Sequence, residues 1–436
     1  MTARSPELLS PADAAARVRA EDTIGLPLGP GVPSAFLHAL GERDDFRDLR
    51  VFTALLVELF RVFTRPGVKL LSGFFGPVER GLRAAGHDVH FVPGDFRRFS
   101  GLLRRLAPRV MATLAAPPDE RGLCSLALHA GASVDELRLC GRDPQRLLVV
   151  EVNRRLPRTL GLPPEHPHAL HVDEIDILVE SEREIFLLPD PKDDGVSRTI
   201  AQHARRFIPD GATLQTGIGS IPDDLAALLA QGDGGDYGIH TEMFTTGLMR
   251  LHKAGKVSNK KGIHDGYSVA TFAAGTRELY DWLDGNSAVR FLPVDQINQP
   301  SIIDRNRRMV SINGALAVDL AGQVAADTLA GRQYSGIGGH EDFVAGAGLH
   351  GHSLVCLPST AGGEGQRVSR IVATFPPGTC VTTPRHHVDV VITEHGVAEL
   401  AGLTVEERVE ALVAVAHPDY REALRAAPEG AGRSRS

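Results

Sequence analysis

Short runs rich in valine, isoleucine and leucine recur along this chain, separated by stretches long enough to be helices. They occupy residues 49–55, 109–115, 147–152 and 175–179 in the first half and 212–216, 354–357, 371–375 and 388–393 in the second. A strand that is apolar at successive rather than alternate positions has to be covered on both faces, which is the situation of a parallel sheet layered between helices. The expected class is therefore α/β, with two open, largely parallel sheets. A length of 436 residues exceeds what one hydrophobic core ordinarily serves, so two domains are expected. The segment Pro189-Asp190-Pro191-Lys192-Asp193-Asp194-Gly195 has the prolines and charges of a crossover, which puts the domains at 1–189 and 190–436. A faint internal echo supports related halves. Gly29-Pro30-Gly31-Val32-Pro33 precedes an apolar stretch at 35–40, and Gly217-Ile218-Gly219-Ser220-Ile221-Pro222 precedes another at 225–229. A helix is expected over 196–208, and Thr404-Val405-Glu406-Glu407 has the capping-box pattern ahead of a helix with Val405, Val409, Leu412 and Val413 on one face.

Composition removes several classes of function. With 54 acidic against 47 basic residues, the net charge of −7 argues against nucleic-acid binding, which calls for a basic face. No apolar stretch reaches the length of a membrane span, and the first 22 residues carry arginines without a secretory apolar core; Ser10-Pro11 instead looks like a helix start. Cys124, Cys140, Cys356 and Cys380 form no Cys-x-x-Cys pair and have no zinc-like histidine spacing, so a reducing compartment, the cytoplasm, is expected.

Three segments carry candidate chemistry. In Gly238-Ile239-His240-Thr241-Glu242-Met243-Phe244 a lone glutamate follows an apolar stretch and precedes a Thr-Thr helix start, in a loop-prone, glycine-flanked setting. A carboxylate at the mouth of a strand, near helix-start amides, can be buried, oriented and used as a nucleophile; Glu242 can equally be a structural acid. His240-Thr241-Glu242 also opens the zinc-deaminase pattern, but the downstream Pro-Cys-x-x-Cys is absent, so no metal is expected. Gly217, Ile218, Gly219, Ser220 and Ile221 form a glycine turn between strand and helix that can admit a ligand close to the backbone or simply turn tightly. It is not the dinucleotide fingerprint, since Pro222 stands where a third glycine belongs. Gly336, Gly338, Gly339 and His340 belong to a second glycine cluster, either an oxyanion hole of free amides or a flexible surface loop.

Taken together, these segments resemble the acetyl-CoA hydrolase/transferase family of class I CoA-transferases, in particular its 4-hydroxybutyrate CoA-transferase-like branch. The likeness runs from Phe75 through Pro117-Pro118-Asp119-Glu120-Arg121-Gly122, Glu151-Val152-Asn153, Leu156-Pro157-Arg158-Thr159-Leu160-Gly161 and 173–180, then through both glycine segments and the Glu242 segment. It continues through Met309-Val310-Ser311-Ile312-Asn313, Asp319-Leu320-Ala321-Gly322-Gln323-Val324, Ser369-Arg370-Ile371-Val372, Thr393-Glu394-His395-Gly396-Val397-Ala398 and Ala416-His417-Pro418-Asp419-Tyr420-Arg421. The resemblance implies two α/β domains of the CoA-transferase (NagB/RpiA-like) type, with Glu242 as a covalent nucleophile that passes through a mixed anhydride to a glutamyl-CoA thioester. It also implies oxyanion stabilisation by backbone amides at Ile218 and at the Gly338-Gly339 turn, and a CoA channel lined by Gly217 to Ile221. CoA enters as a thioester substrate with no further cofactor, the partners are acyl-CoA and small carboxylic acids, and the assembly is a homodimer or higher homo-oligomer.

Two positions depart from the family pattern: His340 stands where glutamine is usual, and Ala345 where arginine is usual. A histidine there can hydrogen-bond a ligand or help water attack. The leading expectation is CoA transfer to a short-chain acid such as acetate or 4-hydroxybutyrate. The alternatives are an acyl-CoA hydrolase and a non-catalytic CoA-binding protein.

Overall fold

The computed structural model describes residues 5–191, 194–363 and 365–427. The chain divides into two compact units, Met1–Pro189 with Val269–Ile297, and Asp190–Ser268 with Asn298–Ser436. The continuous second domain expected over 190–436 is thus corrected by one excursion: Val269–Ile297 counts with the first unit. Nothing in the local composition of that segment announces the return, because the ties are made by its backbone to residues more than 100 positions earlier, as in Ala130 N–H to Thr271 O at 2.7 Å.

In the first unit, strands β1 (Glu7–Leu9), β2 (Glu21–Gly25), β3 (Asp48–Thr53), β4 (Val68–Ser72), β5 (Val89–Phe91), β6 (Val110–Ala115), β7 (Leu147–Asn153) and β8 (Ile177–Ser181) form one sheet in the order β1-β8-β7-β6-β2-β3-β4-β5. Every pairing in it is parallel. Successive residues feed different cores: Val51, Val110 and Ala112 join one cluster with Phe36 and Leu40, while Phe52, Met111, Leu148 and Val150 join another with Leu137 and Ile175. That is why β6 reads as an unbroken apolar run, with every residue buried. Helix α1 (Ser34–Gly41) follows Pro33, whose side chain has no acceptor to cap it. The buried Glu151 at the end of β7 takes that role, accepting the Ala35 and Phe36 amides at 3.1 Å each.

In the second unit, helix α2 (Gly195–Arg205) leads into β9 (Thr213–Thr216), α3 (Ser220–Gln231), β10 (Gly238–Phe244), α4 (Thr246–Lys253), β11 (Met309–Gly314), α5 (His340–Ala347), β12 (His352–Cys356), β13 (Val390–Thr393) and β14 (Gly396–Glu399). These are six strands of an eight-stranded sheet and run in the order β10-β9-β11-β12-β13-β14, parallel except for the closing hairpin β13-β14. Helix α6 (Val405–Val415) starts with the expected capping box, Thr404 Oγ1 accepting from Glu407 N and Glu407 Oε2 from Thr404 N. The strand expected at 371–375 is reduced to Ile371–Val372, which pairs with Ala317–Asp319 outside the main sheet. Pro376-Pro377 follows directly and cannot extend a ladder. Among the described residues no helix is long and apolar enough to cross a membrane.

Candidate active site

Glu242 is the fifth residue of β10, so the loop-prone setting expected for it is corrected: it stands inside a strand. His240, Thr241 and Glu242 are polar, yet the strand forms because its neighbours supply partners. Ile239 N–H donates to Asn259 Oδ1 at 3.0 Å, and Thr241 Oγ1 donates to Thr216 O at 3.2 Å across to β9. Strand alternation puts Glu242 on the same face as His240, whose buried ring meets Phe343 of α5 edge-on at 6.2 Å. The helix that reaches the carboxylate is therefore α5, and not the Thr-Thr helix that follows β10 in sequence.

Asn298 Nδ2 donates to Glu242 Oε2 at 2.6 Å and to Asp342 Oδ2, in the first turn of α5, at 3.1 Å. Asn298 and Asp342 are both fully buried. The Gly339 amide, at the cap of α5, also donates to the Glu242 carboxylate. Glu242 keeps some exposure as a residue, but its carboxylate end lies among these groups. That burial pushes its pKa up to about 8, against the pull of the Asn298 amide and the Gly339 N–H and with the like charge of Asp342 adding to it. A carboxyl group so placed holds a proton over much of the neutral range and is a stronger base and nucleophile once it loses it.

The second glycine cluster is thus brought to the glutamate. Gly338 takes φ 53°, the left-handed conformation that suits glycine, and turns the chain so that Gly339 presents its N–H. Gly336 is buried just before this turn. His340 is buried as well, and its ring donates to the Gly314 carbonyl at the end of β11. Burial holds it down to about 4, so it is neutral, and its Nε2 has no hydrogen-bond partner among the described residues. The first glycine segment follows β9. β9 pairs in parallel with β10, Thr213 opposite Gly238 and Leu214 opposite Ile239. Gly219 takes φ 117° to cap α3, which begins at Ser220 and runs on through Ile221. A Cβ at Gly217 or Gly219 would meet nothing within 4 Å, and Ile218 is 54% exposed, so this turn borders open space. No described contact joins it to Glu242.

Asn298 and Asp342 were not identifiable from their local sequence. Asn298 follows the short helix Val294–Ile297, and Asp342 is one of two acids in the first turn of α5, an ordinary place for an acid. Among the described residues no group of three or more His, Cys, Asp or Glu could hold a metal ion.

Comparison with known proteins bears on this geometry. The profile of the acetyl-CoA hydrolase/transferase C-terminal domain matches residues 275–427. The chain is 42% identical over 336 residues to a 4-hydroxybutyrate coenzyme A transferase of Clostridium kluyveri, covering 76% of this chain and 74% of that one. It is 35% identical over 425 residues to a succinyl-CoA:cyclohexane-1-carboxylate CoA transferase of Geobacter metallireducens, covering 96% and 94%. An acetyl-CoA hydrolase of Candida albicans matches at 27% identity over 64% of this chain and 58% of that one. Among solved structures, RipA from Yersinia pestis superposes with a TM-score of 0.88 at 32% identity, and a 4-hydroxybutyrate CoA-transferase from Porphyromonas gingivalis with 0.77 at 31%, each covering 96% of both chains. The motif resemblance and the expected α/β class are both borne out, and the chain belongs to the acetyl-CoA hydrolase/transferase family of CoA-transferases.

Proposed function

We propose that this enzyme moves CoA between an acyl-CoA and a short-chain carboxylate, acetate or an acid like 4-hydroxybutyrate, by a ping-pong sequence through a glutamyl-CoA thioester on Glu242. The observation that carries the reading is the Glu242 carboxylate, held by one amide side chain and one glycine N–H, with its pKa raised. A Glu242 oxygen attacks the acyl thioester carbonyl and the C–S bond breaks, releasing CoA thiolate and leaving a mixed anhydride. The thiolate attacks the glutamyl carbonyl, the anhydride C–O bond breaks, and the first acid leaves as its carboxylate. A second acid then reverses the sequence and leaves as its CoA thioester. Each exchange trades one carboxylate for another and is close to thermoneutral, so the main task is stabilising the oxyanions. The Gly339 N–H and the Asn298 amide, already on the Glu242 oxygens, suit the glutamyl oxyanion, and the Ile218 amide suits the substrate's. CoA itself is the carried group, and the reading calls on no other cofactor. It includes a homo-oligomer working in the cytoplasm.

Mass spectrometry of the peptide containing Glu242 after incubation with acetyl-CoA, butyryl-CoA or 4-hydroxybutyryl-CoA tests this. A CoA adduct that Glu242→Ala abolishes is the expected result. No adduct and no turnover across a panel of acids would leave a CoA-binding protein, and free CoA released at the same rate with and without acceptor acid would leave a hydrolase.

A further inference from the structure

We propose that Asp342 is a positioning residue for Glu242, acting through the Asn298 side chain; the role rests on the glutamyl-thioester reading above. A carboxamide carries two N–H bonds and one carbonyl, and here the nitrogen faces two carboxylates, Glu242 at 2.6 Å and Asp342 at 3.1 Å. A half-turn of the amide would turn both N–H bonds away from these carboxyl oxygens, so the nitrogen is held toward them. The grip from Glu242 does not last through the reaction, because in the anhydride and in the thioester that group is an acyl group that can no longer carry a carboxylate charge. Asp342 is the partner that the reaction leaves chemically unchanged. It is fully buried, and it stands in the first turn of α5, where the helix end favours an anion. It keeps the Asn298 N–H aimed at the glutamyl oxygen through the covalent stages, when that oxygen needs a donor most.

The same charge has a second effect. A buried anion next to the Glu242 carboxylate disfavours its ionised form and favours its neutral covalent forms, tilting the internal equilibrium toward the thioester. The other titratable groups near Glu242 do not share this role. His340, at the head of α5, is neutral and donates to Gly314. His240, two positions back on β10, packs against Phe343. Glu341, next to Asp342, is turned to Thr383 Oγ1 at 2.7 Å and His387 Nδ1 at 2.6 Å.

The test compares thioester formation across pH, together with kcat and KM for acyl-CoA, in the wild type, Asp342→Asn and Asp342→Glu. For Asp342→Asn, kcat is expected to fall by about 10- to 100-fold with KM within about twofold, since the interaction matters in the covalent stages. The pH midpoint of thioester formation is expected to move down by about one unit once the like charge is gone. Asp342→Glu keeps the charge and is expected to hold the wild-type midpoint and recover part of the rate. A folded Asp342→Asn enzyme with wild-type midpoint and kcat would overturn the proposal, as would equal loss in both variants with no movement of the midpoint. Should Asp342→Asn fail to fold, Asp342→Glu is read in the wild-type and Asn298→Ala backgrounds: a loss confined to the background that keeps Asn298 supports the proposal, and equal losses overturn it. If the wild type forms no thioester with any acyl-CoA, the functional reading falls first and the role of Asp342 with it.

Discussion

A Cβ built on Gly339 would lie 2.0 Å from Glu242 Oε2 and 2.2 Å from Asn298 Nδ2. The backbone at Gly339, with φ −92° and ψ 14°, is open to other residues, so glycine is required there by the space the carboxylate occupies. Gly339→Ala is expected to displace Glu242 by about an ångström and lower kcat/KM by about 100-fold, with the thermal midpoint within a few degrees of wild type. Steady-state kinetics alongside a melting curve check this, and wild-type kinetics in the alanine variant would refute it. Glu242 itself is expected to weaken the fold it sits in. Its folded pKa of about 8 exceeds the ordinary 4.5, so its contribution to stability is complete below about 4.5 and is lost as pH rises through about 8. Glu242→Gln removes that titration. Urea unfolding should find the two proteins close at pH 5 and the glutamine variant more stable at pH 8.5, while thioester formation is lost; a stability difference that does not change with pH would contradict the argument.

The strand that carries Glu242 is anchored at its foot. A Cβ on Gly238, the first residue of β10, would meet Lys261 Cβ at 2.9 Å and Thr213 Oγ1 at 3.1 Å. Lys261 is fully buried, and its Nζ donates to the Ile263 and His264 carbonyls at 2.5 and 2.8 Å, tying down the loop that packs on β10. Burial pulls its pKa down to about 7, against the nearby Asp265 carboxylate. A lowered lysine pKa means the unfolded chain binds more protons between about 7 and 10.5, so this contribution to stability grows across that window and fades as pH falls toward 7. Lys261→Met leaves two carbonyls without their donor and should cost about 1–3 kcal/mol, with the gap to wild type widening from pH 7 to 10 in denaturant titrations. A gap that stays flat with pH would mean the ammonium does not titrate in the fold. The difference between Lys261 and its apolar neighbours also marks what could be read in the sequence. β6, the start of β7 and β13 are legible because a parallel strand covered on both faces is apolar along most of its length. β10 is not, because Thr241 and Glu242 are held by hydrogen-bond partners and the His240 ring packs against Phe343, none of which the apolar pattern announces. The glycine turn and Glu242 stood out through the family's motifs, whereas Asn298, 56 residues from Glu242 in sequence, becomes part of the site only when the fold brings it there.

At the scale of the molecule, the segment Val269–Ile297 belongs to a unit whose other residues all precede Asp190. Its ties within that unit are specific. Thr271 O accepts the Ala130 and Gly131 amides at 2.7 and 3.0 Å, Ala273 N–H donates to Leu128 O at 2.8 Å, Phe291 N–H to Leu160 O at 2.8 Å, and Val294 N–H to Gly131 O at 3.1 Å. Phe291 stacks on His168 at 5.2 Å, Phe272 meets Phe96 edge-on at 6.4 Å, and the Tyr280 hydroxyl donates to Phe186 O at 3.0 Å. Residues 1–189 expressed alone therefore leave backbone donors such as Ala130 and Gly131 without their partners, and should melt without cooperativity and bind a hydrophobic dye. Joining 269–297 to the same fragment through a glycine-serine linker should restore a cooperative transition and suppress the dye signal, because linker length adds little to the closure entropy. Circular dichroism melts of the two fragments decide the matter: equal, cooperative transitions in both would show that the first unit does not depend on the segment.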